Sequence, residues 1–554
     1  MHMRRTKGTA VTNGVVALTI FLALAAVSLV ATPPSPPSIA EFAPQAQQQI
    51  EDAPEEQSAE SGSGPGSAEQ QTIELIEEAD PAATGTTQDT VVLEQGVPSA
   101  LSCVTWPDGS VTQTFDPQSP PCIAAWDVQN GNGGATARGV TETEILVAYP
   151  SDDESLLVEF ERLAEHFNAN YQFYGRRLRP VWVSSPEGTS PEEQRGVATD
   201  IAELGAFATA NLPYGDNAHT FLSEAAKRQV IVAAGGGSAI MAPAAEINAR
   251  APWVWSFTPS VDGLVEAVSS VVCRQLAGHP AQHSPDYATT TRKFALLSVS
   301  PSQNAGRPYP GVDLAPKRLS ACGVELGLFE IPNESETGAQ QLAMTQVLTT
   351  MRQEGYTTIL IADIYPPNSP GRPFMTAPTM GYRPEWLMIS NSGTEDVALQ
   401  FVPAEAARAT FSVLGANKYL ALNEQMAWRA SGHTDLGEAP GTFSFIASYA
   451  HLLLLASGIQ MAGPNLTPET FASGLQSSPF PNPMHGAAPF YQAHVDYGSD
   501  QFATNDYTLV WWNQTRRHPI TGTPGAWCYV RGGLRYQAHE IPATDDFFDQ
   551  TSGC

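Results

Sequence analysis

Few side chains in this 554-residue chain are spaced for chemistry. Eleven histidines are scattered, and none falls in the His-Glu-x-x-His pairing of a metal hydrolase. No Gly-x-Ser-x-Gly elbow presents a nucleophile. His451 stands against four leucines, Leu452 to Leu455, and reads as a core histidine. None of the six cysteines forms Cys-x-x-Cys, the spacing used by zinc or thiol exchange. What remains is a stretch suited to holding a molecule. Gly235-Gly236-Gly237-Ser238 follows an apolar run from Val230 to Ala233. Backbone N–H groups at such a turn attract a carboxylate. The expectation is a non-enzymatic ligand site at Gly236, Gly237 and Ser238, with no catalytic residue, metal or cofactor.

Such a turn needs a strand and a helix to aim it. Ile145 to Tyr149, bounded by polar residues and Pro150, has the pattern of a buried parallel strand. Leu156, Phe160, Leu163 and Phe167 then recur at helical spacing. Further strands are expected at Val181–Val183, Ala206–Thr209, Val230–Ala233 and Trp253–Phe257. Helices are expected from Ser190-Pro191-Glu192-Glu193, a capped start, and over Asn217–Arg228. Thr258-Pro259-Ser260 breaks the rhythm, and a helix follows through Cys273. A second series reads Phe294–Val299, Glu325–Ile331, Thr357–Ala362 and Trp386–Ser390, with helices at Thr337–Gln353 and near Phe374. Two successive βα series predict an α/β fold of two doubly wound, Rossmann-like lobes. Ser151 and Asp152 follow the first strand, and Asp363 and Tyr365 the third of the second series. After Asn391 the pattern is less regular. A helix from Thr442 to about Ala462 is apolar nearly all round, so it belongs between layers. Ser444, Ser448, His451, Ser457 and Gln460 interrupt it and argue against a membrane span. A capped helix restarts at Thr467-Pro468-Glu469, and late strands read at Leu509–Trp512 and Trp527–Val530.

Charge is unevenly placed. The net charge is −29, which excludes an ordinary nucleic-acid partner. Arg4, Arg5 and Lys7 are the only basic residues before Arg138, and sixteen acidic residues fall between positions 8 and 137. Residues 1–31 read as an export signal: a basic start and an apolar run from Gly14 to Ala31. The run suits either a cleaved signal peptide or a retained anchor, which would make the membrane a partner. No cysteine for lipid attachment lies near its end. Residues 32–100, rich in Pro, Gln, Glu, Ser and Gly, cannot bury enough apolar surface to offset ordering entropy. They would form a disordered tether reaching on the order of 45 Å. Export, to the outer face of the cytoplasmic membrane or beyond, favours disulfides. Six cysteines leave many connectivities open. Nearest-neighbour pairing is expected: Cys103 with Cys122, Cys273 with Cys322, Cys528 with Cys554. The first pair would close a small segment, 101–138, ahead of a folded domain opening at Gly139.

The domain's own phrases resemble a known family. Gly139-Val-Thr-Glu-Thr-Glu-Ile-Leu-Val looks like the opening of type I periplasmic binding proteins, the branched-chain amino-acid (Leu/Ile/Val) binding group of ABC transporter substrate-binding receptors. Ala251-Pro252-Trp253-Val254-Trp255-Ser256-Phe257-Thr258-Pro259-Ser260 is similar to that family's first crossover between lobes. Tyr356 to Ala362, with Gly381-Tyr382-Arg383-Pro384-Glu385-Trp386-Leu387, resembles its second-lobe strand, helix and strand. Ser448 to Leu475, including Ala462-Gly463-Pro464-Asn465-Leu466-Thr467-Pro468-Glu469, resembles its late buried helix and the capped helix after it. The resemblance spans most of residues 139–540. It implies two lobes, about 139–257 and 261–390, each completed by part of 391–554, joined by crossover strands and closing on a small ligand. It also implies that the loop after the third strand, with Asn211 and Tyr214, faces the cleft, and adds Tyr309 as a second-lobe candidate beside Asp363 and Tyr365.

The function expected is an extracytoplasmic solute-binding protein that captures a small polar ligand, an amino acid or similar, for an ABC-type importer whose permease is its partner. The alternative is a membrane-anchored ligand sensor or surface scaffold on the same fold.

Overall fold

The computed structural model describes residues 103–185, 190–212, 218–234, 242–299, 310–331, 337–362, 372–390, 395–438, 442–481, 492–498, 500–543 and 554. Residues ahead of Gly139 form a small antiparallel pair, β1 (Val104–Thr105) with β2 (Val111–Thr112), closed by the Cys103–Cys122 disulfide. The folded chain therefore begins before Gly139. Gln113, Thr114, Asp116, Gln118 and Ser119 are all buried, so this segment builds a polar core that apolar periodicity does not register.

Five parallel strands make the first sheet: β3 (Glu144–Ser151), β4 (Arg177–Ser184), β5 (Ala208–Thr209), β6 (Ile231–Ala234) and β7 (Val254–Ser256), in the order β4-β3-β5-β6-β7. Side chains alternate across a strand, and here both faces are covered. Ile145, Val147 and Tyr149 face one cluster, with Phe160, Leu163 and Phe167 of the helix Leu157–Asn170. Leu146 and Ala148 face the other, with Val197 and Ile201 of the helix Pro191–Glu203. That second helix begins as the sequence predicts. Ser190 Oγ accepts from the Glu193 N–H, and Glu193 Oε2 accepts from the Ser190 N–H. Glycine is required at Gly139, where φ is +71° and a Cβ would stand 2.2 Å from the Phe207 nitrogen.

The second sheet repeats the order of the first. β8 (Phe294–Val299), β9 (Leu326–Ile331), β10 (Thr358–Ala362), β11 (Glu385–Ser390) and β12 (Thr410–Leu414) run parallel as β9-β8-β10-β11-β12. Three antiparallel strands extend it: β13 (Asp506–Arg517) on β12, then β14 (Pro524–Tyr529) and β15 (Arg535–Gln537) on β13. Ala295, Leu297, Ile359 and Ile361 pack to one side, and Phe294, Leu296, Leu360 and Leu387 to the other. Cys273–Cys322 and Cys528–Cys554 are the other two disulfides, as nearest-neighbour pairing requires.

The strands extend further than their apolar runs, as at β4 and β13, because edge residues pair without being buried. Several elements fall where sequence periodicity placed none, two of them within the second lobe's βα series. One is the helix Pro310–Ser320, which carries Pro316 inside it. The other is β12, whose five residues are all buried.

The helix Thr442–Ala462 belongs to the first sheet's side. It is long and apolar enough to cross a membrane, but 78% of its most apolar stretch is buried, against the first lobe and the helix Pro468–Ser477. The two helices meet at glycines. A Cβ on Gly458 would strike the Phe471 ring, and one on Gly474 would lie 2.6 Å from the Met461 backbone.

Candidate functional site

The two repeated strand orders fix where the lobes can receive a ligand. In β4-β3-β5, the chain leaves β3 to one side, returns, and continues on the other. Loops after β3 and β5 diverge there, and an open α/β sheet holds ligands in that crevice, at the strands' carboxyl ends. The same reversal recurs between β8 and β10.

Among the described residues, the chain passes between the lobes three times. The first passage leaves the end of β7 and enters the helix Val261–Val271, which packs on the second sheet. The second leaves the end of β12 and returns to the helices Met426–Ser431 and Thr442–Ala462 of the first lobe. The third runs from residues 492–505 into β13, whose Thr508 pairs with Leu414 at the carboxyl end of β12. The first two passages leave the carboxyl ends of β7 and β12, and the third enters the second sheet beside the carboxyl end of β12. The passages are laced together. The Ser256 N–H donates to Gln501 O (2.8 Å), the Ala503 N–H to Ser256 O (2.8 Å), and Thr504 Oγ1 to Phe257 O (3.0 Å).

On the first lobe, Ser151 ends β3 and Asn211 follows β5, on either side of the reversal. Asn211 Nδ2 donates to the Pro150 carbonyl at 2.8 Å, and its own carbonyl accepts from Thr209 Oγ1 at 3.2 Å, so it stitches the two diverging loops. Ser151 Oγ donates to Asp153 O (2.8 Å) and accepts from Trp182 Nε1 (3.1 Å). Asp152 is exposed beside it, and Asp153 caps the following turn through the Ser155 N–H. Tyr149 stacks on Phe160 at 4.3 Å, and burial raises its hydroxyl pKa. Tyr214, Gly236, Gly237, Ser238, Tyr309, Asp363 and Tyr365 lie outside the described residues.

Sequence reasoning missed Ser185. It follows β4, its N–H donates to Ser151 O at 2.9 Å, and its buried hydroxyl has no hydrogen-bond partner among the described residues. The only signal was its place, two residues beyond the apolar run ending at Val183.

On the second lobe, one buried ion pair governs the passages. Arg535 and Asp506 are each about 1% exposed. Arg535 Nε donates to Asp506 Oδ1 (3.0 Å), Nη2 to Asp506 O (2.7 Å) and Gly415 O (2.8 Å), and Nη1 to Ala416 O (2.8 Å). Asp506 also accepts from the His494 N–H. One guanidinium thus gathers the second and third passages. Nearby, Lys418 Nζ donates to Gly532 O at 2.7 Å, and burial lowers its pKa. Among the described residues no cluster of His, Cys, Asp or Glu is arranged to hold a metal ion.

No protein-family model and no curated protein matches the sequence. Solved structures do, at low identity. The chain is similar to a fatty acid ABC transporter substrate-binding protein from Thermomonospora curvata, with 13% identity and a TM-score of 0.48 over 74% of this chain and 98% of that one. It is similar to an ABC transporter solute-binding protein from R. palustris in complex with 4-hydroxybenzoate, with 13% identity and a TM-score of 0.47 over 72% and 98%. A third is a possible leucine/isoleucine/valine-binding protein from Rhodopirellula baltica SH 1, at 12% identity and a TM-score of 0.45 over 70% and 96%. These are likenesses of general outline. The repeated strand order and the three passages make the fold a two-lobe α/β one, as the resemblance to type I periplasmic binding proteins implies.

Proposed function

We propose that this chain is an extracytoplasmic solute-binding protein, holding a small polar ligand between its lobes and delivering it to an ABC-type importer. The observation that carries the reading is the same strand-order reversal in both sheets, at β4-β3-β5 and at β9-β8-β10. Binding without chemistry fits the absence of nucleophile and metal motifs in the sequence. Ser151, Asp152, Asn211, Tyr214, Gly236, Gly237 and Ser238 serve the first lobe's side, and Tyr309, Asp363 and Tyr365 the second. A carboxylate is the preferred ligand group, because glycine-turn N–H groups and hydroxyls are donors without a charge to satisfy. Residues 1–31 act as leader or anchor and 32–100 as tether, on the apolar run and the acidic, Pro-rich composition.

The test is a thermal-shift screen of the full chain against small carboxylates: amino acids and aliphatic and aromatic acids. A ligand at a hundredfold excess over its Kd stabilises the folded form by about 2.7 kcal/mol. The expected result is at least one stabilising compound whose effect Ser238→Ala and Asn211→Ala diminish. A screen with no stabiliser overturns the reading. Cross-linking in cells should recover a permease; recovery of a signalling protein would favour the sensor alternative.

A further inference from the structure

Residues 103–138 carry contacts that ligand capture does not use. Most of the buried polar side chains of this segment grip the first lobe. Gln113 Nε2 donates to Asn170 O (3.0 Å), and Gln113 Oε1 accepts from Gln460 Nε2 (3.1 Å). Ser119 Oγ pairs with the Tyr171 hydroxyl at 2.8 Å, and the Tyr449 hydroxyl donates to Asp116 Oδ2 at 2.9 Å. Asp116 Oδ1 accepts from the Gln118 N–H at 2.8 Å, which fixes where the next side chain points. The Arg429 guanidinium lies 4.0 Å over the Phe115 ring.

Gln118 reaches elsewhere. Its Nε2 donates to Ala493 O (2.7 Å) and Asn417 Oδ1 (3.2 Å), and its Oε1 accepts from Asn417 Nδ2 (2.7 Å). Asn417 Oδ1 accepts in turn from the Ala493 N–H at 2.9 Å. Asn417 lies on the second passage between lobes and Ala493 on the approach to the third. One buried glutamine, 5% exposed, therefore holds both to the first lobe's side. Arg535 holds the neighbouring points, Gly415, Ala416 and Asp506, to the second lobe. Just beyond Asn417, the second passage is tied to the second lobe again: Lys418 Nζ donates to Gly532 O and the Tyr419 N–H to the Tyr529 hydroxyl. On the third, the His494 N–H beside Ala493 donates to Asp506, and Thr504 Oγ1 donates to Phe257 O.

We propose that residues 103–138 are a hinge brace, in which Gln118 pins the second and third passages to the first lobe, beside points held to the second, and so limits lobe rotation. Gln118 is a positioning residue: it sets the angle between the lobes without touching ligand. The inference rests on the proposed function only for its consequence, that a braced cleft opens through a narrow range. The pinning itself is a property of the fold. Removing Asn417's side chain is costly, because the buried Gln118 amide then keeps an unsatisfied group away from water.

The test uses the full-length chain without added ligand. Fluorophores are placed by nonsense suppression at exposed Glu203 and Glu354, one on each lobe. Single-molecule transfer gives the distribution of lobe separations, and amide exchange reports residues 492–498. Gln118→Ala and, separately, Asn417→Ala should broaden the distribution at least twofold and speed exchange over 492–498 at least tenfold. Exchange over β3 should stay at the wild-type rate. Asn417→Ala leaves the Gln113, Asp116 and Ser119 contacts in place, so it answers even if Gln118→Ala loosens the whole segment. Wild-type distributions in both variants overturn the brace. So does a distribution that broadens only when the β3 amides also lose protection. A barren ligand screen would remove the proposed function and leave this result standing.

Discussion

Replacing Arg535 with methionine should cost the second lobe several kilocalories. The substitution keeps the stem's volume and removes four donated hydrogen bonds, one to the Asp506 carboxylate and three to backbone carbonyls. Asp506 is then a buried carboxylate facing only the His494 N–H at 3.2–3.3 Å. Removing one member of a buried ion pair costs about 3–5 kcal/mol, because the remaining charge is neither paired nor hydrated. The released Gly415 and Ala416 carbonyls put the effect in the upper half of that range, about 4 kcal/mol. Domain stabilities are about 5–15 kcal/mol, so the loss is a large share. The assay is urea unfolding read by tryptophan fluorescence, since Trp511, Trp512 and Trp527 sit in the same sheet. Adding Asp506→Asn should return about 2 kcal/mol by removing the stranded charge, a coupling of the size contacting residues show. A loss under about 1 kcal/mol for Arg535→Met, or a strictly additive double variant, would refute the claim that this pair secures the passages.

Three further outcomes follow from the same structure. Gly474→Ala should destabilise by about 1–3 kcal/mol in chemical unfolding, because its Cβ meets the Met461 backbone rather than a movable side chain. Stability should fall on acidification. Burial lowers His166 to about 4, and burial with the Arg292 charge lowers His283 to about 3. The unfolded chain takes these protons near pH 6.5, so the stabilisation is complete above that pH and is lost on descent towards 4 and 3. His166→Phe with His283→Phe should flatten that limb of a Tm-against-pH curve. Burial raises Asp116, so its contribution has the opposite sign: it is full at acid pH and is lost as pH rises through the raised value. Asp116→Asn should therefore stabilise the protein at pH 7 relative to pH 4, and a larger penalty at pH 7 would contradict this.

The parallel strands were legible because strands covered on both faces read as short unbroken apolar runs between polar residues. Phe294–Val299 and the helix Thr337–Gln353 fall where their patterns put them. The helix Pro310–Ser320 was hidden by Pro308, Pro310 and Pro316, which signal a loop; Pro310 instead stands at the first helical position, where its missing N–H costs nothing. β12 was hidden because Thr410 and Ser412 interrupt its apolar residues, yet both hydroxyls find carbonyls, of Ala406 and Met388. At the candidate site, Ser151 was nominated from a strand end, and Asn211 from a strand end together with the family resemblance. Gln118 could not be nominated either way. Its partners lie 299 and 375 residues away, and nothing local distinguishes it from the other glutamines of a polar stretch.

In the proposed function, one ligand bridges the carboxyl edges of both lobes. Amide hydrogen exchange of the full chain, with and without the strongest stabiliser from the carboxylate screen, tests it most directly. The expected result is added protection at Tyr149–Asp153 and Ala208–Leu212 on one side and after β8 and β10 on the other. Protection confined to one lobe, or centred on the outer helices, would contradict it.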